Sequence, residues 1–342
     1  MEKELFDFIK NNPALSSREI FDRLEHSYSY PTLKRMLKKL LESNYITTNG
    51  KGKATKYLLS PAFELLEEIN IGQYFSKEQD ERIIKNSFNF SLIPEILASV
   101  RLFTKREEQE LEMLHSMFKA NVDGLSATAY GKEMERLAID LSWKSSQIEG
   151  NTYSLLETER LLKDQETAQG KPKDDATMLL NHKEAINFIT ANPEYVVPLT
   201  VRGIEDIHSM LIKNLNVDRN IRQRRVGVTG TNYKPLDNEH QIRESLESMC
   251  MLINAKKNVF EKSLLSLVLL SYIQAFNDGN KRTARIISNA ILIAHQYCPI
   301  SFRTVDSVEY KMAMLVFYEQ NNISAFKRIF IDQFKFAVNT YF

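Results

Sequence analysis

One stretch constrains this chain more than any other: Gln274-Ala275-Phe276-Asn277-Asp278-Gly279-Asn280-Lys281-Arg282-Thr283-Ala284-Arg285. The segment before it (Leu264, Leu265, Leu267, Val268, Leu269, Leu270, Tyr272, Ile273) reads as a buried helix. The segment after it carries Ile286, Ile287, Ala290, Ile291 and Ile293 on one face of an amphipathic helix. Asp-Gly-Asn between two helices is a turn, and Gly279 tolerates the positive φ that closes it. The amides that follow open a helix N-terminus, where unpaired N–H groups and the positive end of the dipole favour an anion. Arg282 and Arg285 stand three apart and share a helix face, and a guanidinium fork suits two phosphate oxygens. Asp278 could hold Mg²⁺ against those phosphates. The residues by themselves thus describe a phosphate cradle.

The rest of the body is mainly α. Helical spacing predicts helices over 101–119, 132–146, 154–164, 175–191, 200–214, 240–257, 262–273, 281–296, 306–320 and 323–341. Strand-like residues are few; the clearest are Arg225-Val226-Gly227-Val228, followed by a turn at Thr229-Gly230-Thr231-Asn232. Residues 61–100 mix Pro61, Gly72 and Pro94 with short apolar runs and read as a connector with one or two helices. No repeat of fixed period is present.

Residues 1–60 form a separate module. Leu5, Phe6, Phe8 and Ile9 give a short helix stopped by Asn11-Asn12-Pro13. Ser16 with Glu19 is a capping pattern for a second helix through Leu24. A turn is expected from His26 to Tyr30. Pro31 then opens a third helix striped with Leu33, Met36, Leu37, Leu40 and Leu41 and ended by Asn44. Tyr45 to Thr48 and Thr55 to Leu59, separated by Asn49-Gly50-Lys51-Gly52, read as a β-hairpin. This order resembles a winged helix-turn-helix domain, in which the third helix enters the major groove and the wing touches backbone. The whole chain has 45 Lys and Arg against 44 Asp and Glu. Residues 31–60, however, carry seven cations and the single acid Glu42. Lys34, Arg35, Lys38 and Lys39 fall on the third helix; Lys51, Lys53 and Lys56 fall on the hairpin. Such a patch predicts binding to duplex DNA through phosphates.

Other classes are disfavoured. No apolar run approaches the roughly 18 residues of a membrane span, and Met-Glu-Lys-Glu-Leu opens no secretory signal. Cys250 and Cys298 are the only cysteines, with no metal-ligand spacing, so neither a disulfide framework nor a zinc site is expected. A cytoplasmic protein is the expectation.

The loop 274–285 resembles the signature of the Fic (Fido) family, His-Pro-Phe-x-Asp/Glu-Gly-Asn-Gly/Lys-Arg-x-x-Arg. Phe276, Asp278, Gly279, Asn280, Lys281, Arg282 and Arg285 match it. Ser145-Ser146-Gln147-Ile148-Glu149-Gly150-Asn151 resembles the family's inhibitory-helix motif, and Arg225 to Pro235 lies where the family has its flap hairpin. The resemblance covers roughly residues 95–335. It implies a Fic-type helical bundle over 101–342 with a small β-hairpin flap, and AMP transfer from ATP to a protein hydroxyl. By resemblance, Asp278 holds Mg²⁺; Gly279, Asn280, Lys281 and Arg282 cradle phosphates; Arg285 meets the γ-phosphate. Glu149, with Ser145 and Gly150 around it, is the autoinhibitory carboxylate that pairs with that arginine. Val226, Gly227, Val228 and Thr229 align the target segment by backbone pairing.

The departures carry as much information. The family's catalytic His is Gln274 here, and its Pro is Ala275. An amide can hydrogen-bond a hydroxyl but cannot take its proton. His295 lies ten residues past Arg285, up the next helix, and does not substitute; His240 follows the flap and is a weak candidate for rescue, set against the reading of a surface histidine at a helix start. Lys281 stands where many members have Gly; in Doc-type members a Lys there goes with reversed nucleotide binding and phosphate transfer, which leaves nucleotide orientation open. The expectation is an ATP- and Mg²⁺-binding Fic protein, weakened in AMP transfer, with a DNA-binding regulatory module. The alternative is an active Fic- or Doc-like enzyme that modifies a protein hydroxyl. The protein target, the DNA site and any homo-oligomer are not specified by the chain.

Overall fold

The computed structural model describes residues 2–24, 28–42 and 45–342, together with all their side chains except those of Glu2 and Lys53. The expected turn at His26 and helix stop at Asn44 lie outside the described residues. Two compact units form: Met1–Glu68 with Gln320–Ser324, and Ile69–Glu319 with Ala325–Phe342.

The first unit contains α1 (Glu2–Asn11), α2 (Ser17–Arg23), α3 (Tyr30–Glu42), β1 (Ile46–Asn49), β2 (Lys56–Leu59) and α4 (Pro61–Leu66). Its apolar stripes meet where the periodicity put them: Leu5, Ile9, Ile20, Leu33, Leu37 and Ile46 are buried together. Ser16 accepts from the Glu19 N–H and Glu19 accepts from the Ser16 N–H, so the capping box is complete. β1 and β2 pair antiparallel with Asn49 opposite Lys56, and the connection is a six-residue loop with Gly50 at φ 81° rather than a two-residue turn. A bridge from Leu15 to Tyr57 ties the hairpin to the segment before α2.

The second unit contains α5 (Ile71–Tyr74), a π-helical turn (Leu92–Leu97), α6 (Lys105–Asp123), α7 (Ala127–Ile148), α8 (Leu155–Asp164), α9 (Lys173–Ala191) and α10 (Val201–Leu211). It continues with α11 (Glu239–Ala255), α12 (Val259–Ile273), α13 (Asn280–Ala294), and α14 (Ser307–Gln320) and α15 (Ser324–Tyr341) apart from their terminal residues Gln320 and Ser324, which are counted in the first unit. S/T-x-x-E capping boxes start α6 at Thr104 and α8 at Ser154, and Ser126 caps α7. α12 is the core element, buried at every position from Ser263 to Ile273. A helix apolar on all sides can only be central, and α11 and α13 pack against it. Truncating one of its fully buried leucines, such as Leu267→Ala, would cost about 2–5 kcal/mol. No helix among the described residues is long and apolar enough to cross a membrane.

The flap departs from expectation. Residues 225–235 form no strand ladder among the described residues; they run without regular structure to a turn at Thr229-Gly230, and Lys234 makes an isolated bridge to Ser87. The reason is a side chain. Arg222, 1% exposed, donates from Nη1 to the Arg224 carbonyl (2.8 Å) and from Nη2 to the Leu236 carbonyl. Its guanidinium joins the two arms, and Arg225 adds an ion pair to Asp237 (2.6 Å).

Candidate functional site

α12 ends at Gln274, which takes a left-handed conformation (φ 53°, ψ 55°) and turns the chain into the loop. Phe276 is buried and stacks face to face on His208 of α10, with ring centroids 3.6 Å apart. Gly279 caps α13 at φ 81°, and a Cβ there would approach the His208 ring and Ile212 to 3.3 Å. Glycine is favoured here by its dihedral, and any side chain would also crowd the His208 ring and Ile212. The N–H groups of residues 280–282 precede the first α13 hydrogen bond, Thr283 N–H to the Gly279 carbonyl (2.8 Å). They are the orphan donors of a helix start.

The Asn280 side chain faces the loop. Its Oδ1 accepts from the Phe276 N–H (2.8 Å), and its Nδ2 donates to the Phe276 carbonyl (2.8 Å) and to Gln274 Oε1 (3.2 Å). The side-chain amide is thus engaged within the loop, and the backbone N–H stands among the helix-start donors. Asp278 accepts from the Gly279 N–H (2.6 Å) and from Arg282 Nη2 (2.9 Å), and its side chain is 63% exposed. Arg282 is buried, with its Nε unpartnered among the described residues.

Glu149 is the last turn of α7 brought to the first turn of α13. Arg285 Nη2 donates to Glu149 Oε1 (2.7 Å), and Lys281 Nζ donates to Oε2 (3.1 Å). Arg285 is 0% exposed and also donates from Nε to Ser145 Oγ (2.7 Å) and from Nη2 to the Ser145 carbonyl (2.9 Å). Ser145 Oγ lies 2.9 Å from Nε2 of the buried His182. Burial alone would raise the Glu149 carboxyl, but the charges of Arg285 and Lys281 outweigh it and hold it at about 2. Burial, then the charges of Arg285 and Arg282, keep His182 well below its ordinary range.

Glu149, Asp278, Gly279, Asn280, Lys281 and Arg282 line a cleft of about 450 Å³ together with Gly227, Val228, Thr229, Gln274, Tyr310 and Tyr318, while Arg285 and His182 lie behind it. Gln274 Nε2 donates to the Ser271 carbonyl (2.7 Å) and lies 3.4 Å from Tyr318 Oη. Its own carbonyl accepts from Arg222 Nε (2.6 Å). No histidine lines the cleft. His240 is exposed at the start of α11, His295 follows the end of α13, and His208 is enclosed and pushed down to about 4 chiefly by burial. Gly227 to Thr229 reach the cleft; Val226 is not among its lining residues. Sequence reasoning missed Arg222, His182, His208 and the Lys281–Glu149 pair. Their signals are single residues far from the motif, and only packing brings them to it.

Residues 198–292 match the model of the Fic/DOC family, which supports a Fic/Doc domain over that part of the chain. A protein named protein adenylyltransferase Fic from Nematostella vectensis is 25% identical over 218 residues, covering 61% of this chain and 51% of that protein. The protein of the same name from Drosophila melanogaster is 24% identical over 162 residues, covering 46% and 33%. The chain thus spans about half the length of the first relative and a third of the second. Fic-1 from C. elegans superposes with a TM-score of 0.61 at 19% identity, over 69% of this chain and 72% of that chain. A Fic domain containing signaling protein from Bacteroides thetaiotaomicron gives 0.59 at 18% identity, over 67% and 94%. At those identities the structures show the fold alone.

The donors fit a nucleotide with Mg²⁺. Helix-start amides and an unused buried guanidinium Nε suit phosphate oxygens. Among the described residues no three acids, histidines or cysteines form a metal cluster, and Asp278 alone suits Mg²⁺, which takes one or two carboxylates and completes its shell with phosphates and water.

Proposed function

We propose that this chain is a Fic-fold adenine-nucleotide-binding protein, related to the protein adenylyltransferases, whose resting cleft is closed by Glu149 and whose AMP transfer is weakened by Gln274. One observation carries the reading: the position of the general base holds an amide, fastened by its own hydrogen bonds to Ser271 and Asn280. An amide offers no basic lone pair, so an attacking hydroxyl finds no acceptor for its proton there. The amides of residues 280–282, with Arg282 and Lys281, would bind phosphates, and Arg285 would receive the terminal phosphate once Glu149 leaves it. Asp278 would hold Mg²⁺, which supplies neutralisation of charge on the phosphates. Gly227 to Thr229, without a ladder partner, would guide an extended target segment.

Residues 1–60 are proposed as a winged helix-turn-helix that binds duplex DNA, supported by the exposed Lys34, Arg35, Lys38 and Lys39 on α3 and by Lys51 on the wing loop. The side chain of Lys53 lies outside the described residues. Lys56 plays another part: its ammonium is 2.7 Å from Glu19 and ties β2 to α2.

The test is incubation of the chain, and of its Glu149→Gly variant, with α-³²P- and γ-³²P-labelled ATP. Binding without protein-bound label from either is the expected result. Label from the α-position would establish AMP transfer, and label from the γ-position phosphate transfer; either would support the alternative, an active enzyme acting on a protein hydroxyl.

A further inference from the structure

Glu149 and Lys281 are each misplaced on their own helix. Glu149 stands at the C-cap of α7, where the dipole presents partial negative charge to a carboxylate. Lys281 stands in the first turn of α13, where the dipole presents partial positive charge to an ammonium. Neither helix favours its own residue, and the contact between them relieves both. The geometry is that of a bridge: each carboxylate oxygen has its own cation, Oε1 taking Arg285 Nη2 at 2.7 Å and Oε2 taking Lys281 Nζ at 3.1 Å. The pair is shielded, with side-chain exposures of 27% for Lys281 and 19% for Glu149. The surface pair of Lys38 with Glu42 is longer (3.7 Å), and its partners are 77% and 64% exposed. Shielding and proximity make the cleft pair the stronger attraction.

We propose that Lys281 is a positioning residue, the second anchor of the Glu149 lock, so that an incoming polyphosphate has to displace the carboxylate from two cations. This rests on the nucleotide-binding reading of the cleft. Lys281 is part-exposed at the cleft and Arg285 is fully buried, so each carboxylate oxygen is held by a separate cation. Departure of Glu149 leaves an ammonium and a helix N-terminus both without an anion, and that demand is what a phosphate meets.

The test is a double-mutant cycle on the full chain with four proteins: native, Glu149→Gln, Lys281→Met and the double variant. Calorimetry with ATP and Mg²⁺ gives Kd for each. The change in Kd caused by Lys281→Met should lie at least about threefold further toward tight binding in the native background than in the Glu149→Gln background. Lys281→Arg, which keeps a cation, should restore the native affinity. Equal fold-changes in the two backgrounds, or a shift of the opposite sign, overturn the proposal. Failure of all four to bind the nucleotide would sink the nucleotide reading by itself. The urea midpoints of the same proteins then decide the lock: a Lys281→Met drop that disappears in the Glu149→Gln background sustains it, and the same drop in both overturns it.

Discussion

The chain holds two clusters of cations, and they are handled in opposite ways. Around the start of α13, Arg282 and Arg285 are 1% and 0% exposed, and each meets a carboxylate within 3 Å. On α3 the cations face solvent; Lys38, in a surface ion pair with Glu42, is 77% exposed. Buried charges act by geometry, because a misplaced one leaves another unpaired in low dielectric. Exposed charges act through a field that salt screens. The first cluster should therefore respond steeply to single changes, and the second only to several changes together.

The largest effect is expected in the cleft's chemistry. Gln274→His in a Glu149→Gly background should raise self-labelling from α-³²P-ATP by about 10²–10⁴-fold, the usual contribution of a general base. Equal labelling with Gln and His would show that the missing base is not the limit. Next, Arg285→Met should destabilise the chain by about 3–5 kcal/mol in urea unfolding, because Glu149 then keeps only Lys281. Adding Glu149→Gln should recover much of that loss; if it does not, the cost lies in packing against Ser145 and Tyr310 rather than in charge.

Glu149→Gly should tighten ATP by one to two decades, as removal of a charge-assisted contact of about 1.5–3 kcal/mol implies. The sign of its pH dependence follows from the carboxyl held at about 2 against an ordinary 4.5. A depressed carboxyl contributes stability that is complete above the unfolded value and is lost as pH falls toward the folded one. The stability gap between native and Glu149→Gln should thus be flat over roughly pH 5 to 8 and shrink below about 4.5. A gap that changes near neutrality would contradict the lock.

In the first unit the effects are smaller and collective. Changing Lys34, Arg35, Lys38 and Lys39 to Ala together should reduce the salt slope of DNA binding by up to about 4, roughly one per phosphate contact, in retardation assays of the full chain. Absence of any retardation by the native chain at low salt would point to a protein partner instead. Smallest of all, Ser16→Ala should cost about 1 kcal/mol, the worth of one helix cap, in the same urea assay.

Much of this protein is local and therefore legible in the chain. Helix periodicity, S/T-x-x-E caps and the Asp278-Gly279-Asn280 turn involve neighbours within four residues, so helices such as α9 and α12 stand within a few residues of their expected bounds. The proposed replacement of a base by Gln274 likewise concerns a single residue. Tertiary structure decided what depends on distant residues meeting. Arg222 replaced the expected flap ladder by side-chain bonds to two carbonyls. Asn280 engages its side-chain amide with Phe276 and Gln274, which the chain alone does not show. Lys281, more than a hundred residues from Glu149 in the chain, became its second cation. A hydrogen bond or ion pair needs its partners within about 4 Å, and only the packing of α7 against α13 brings these ends of the chain that close.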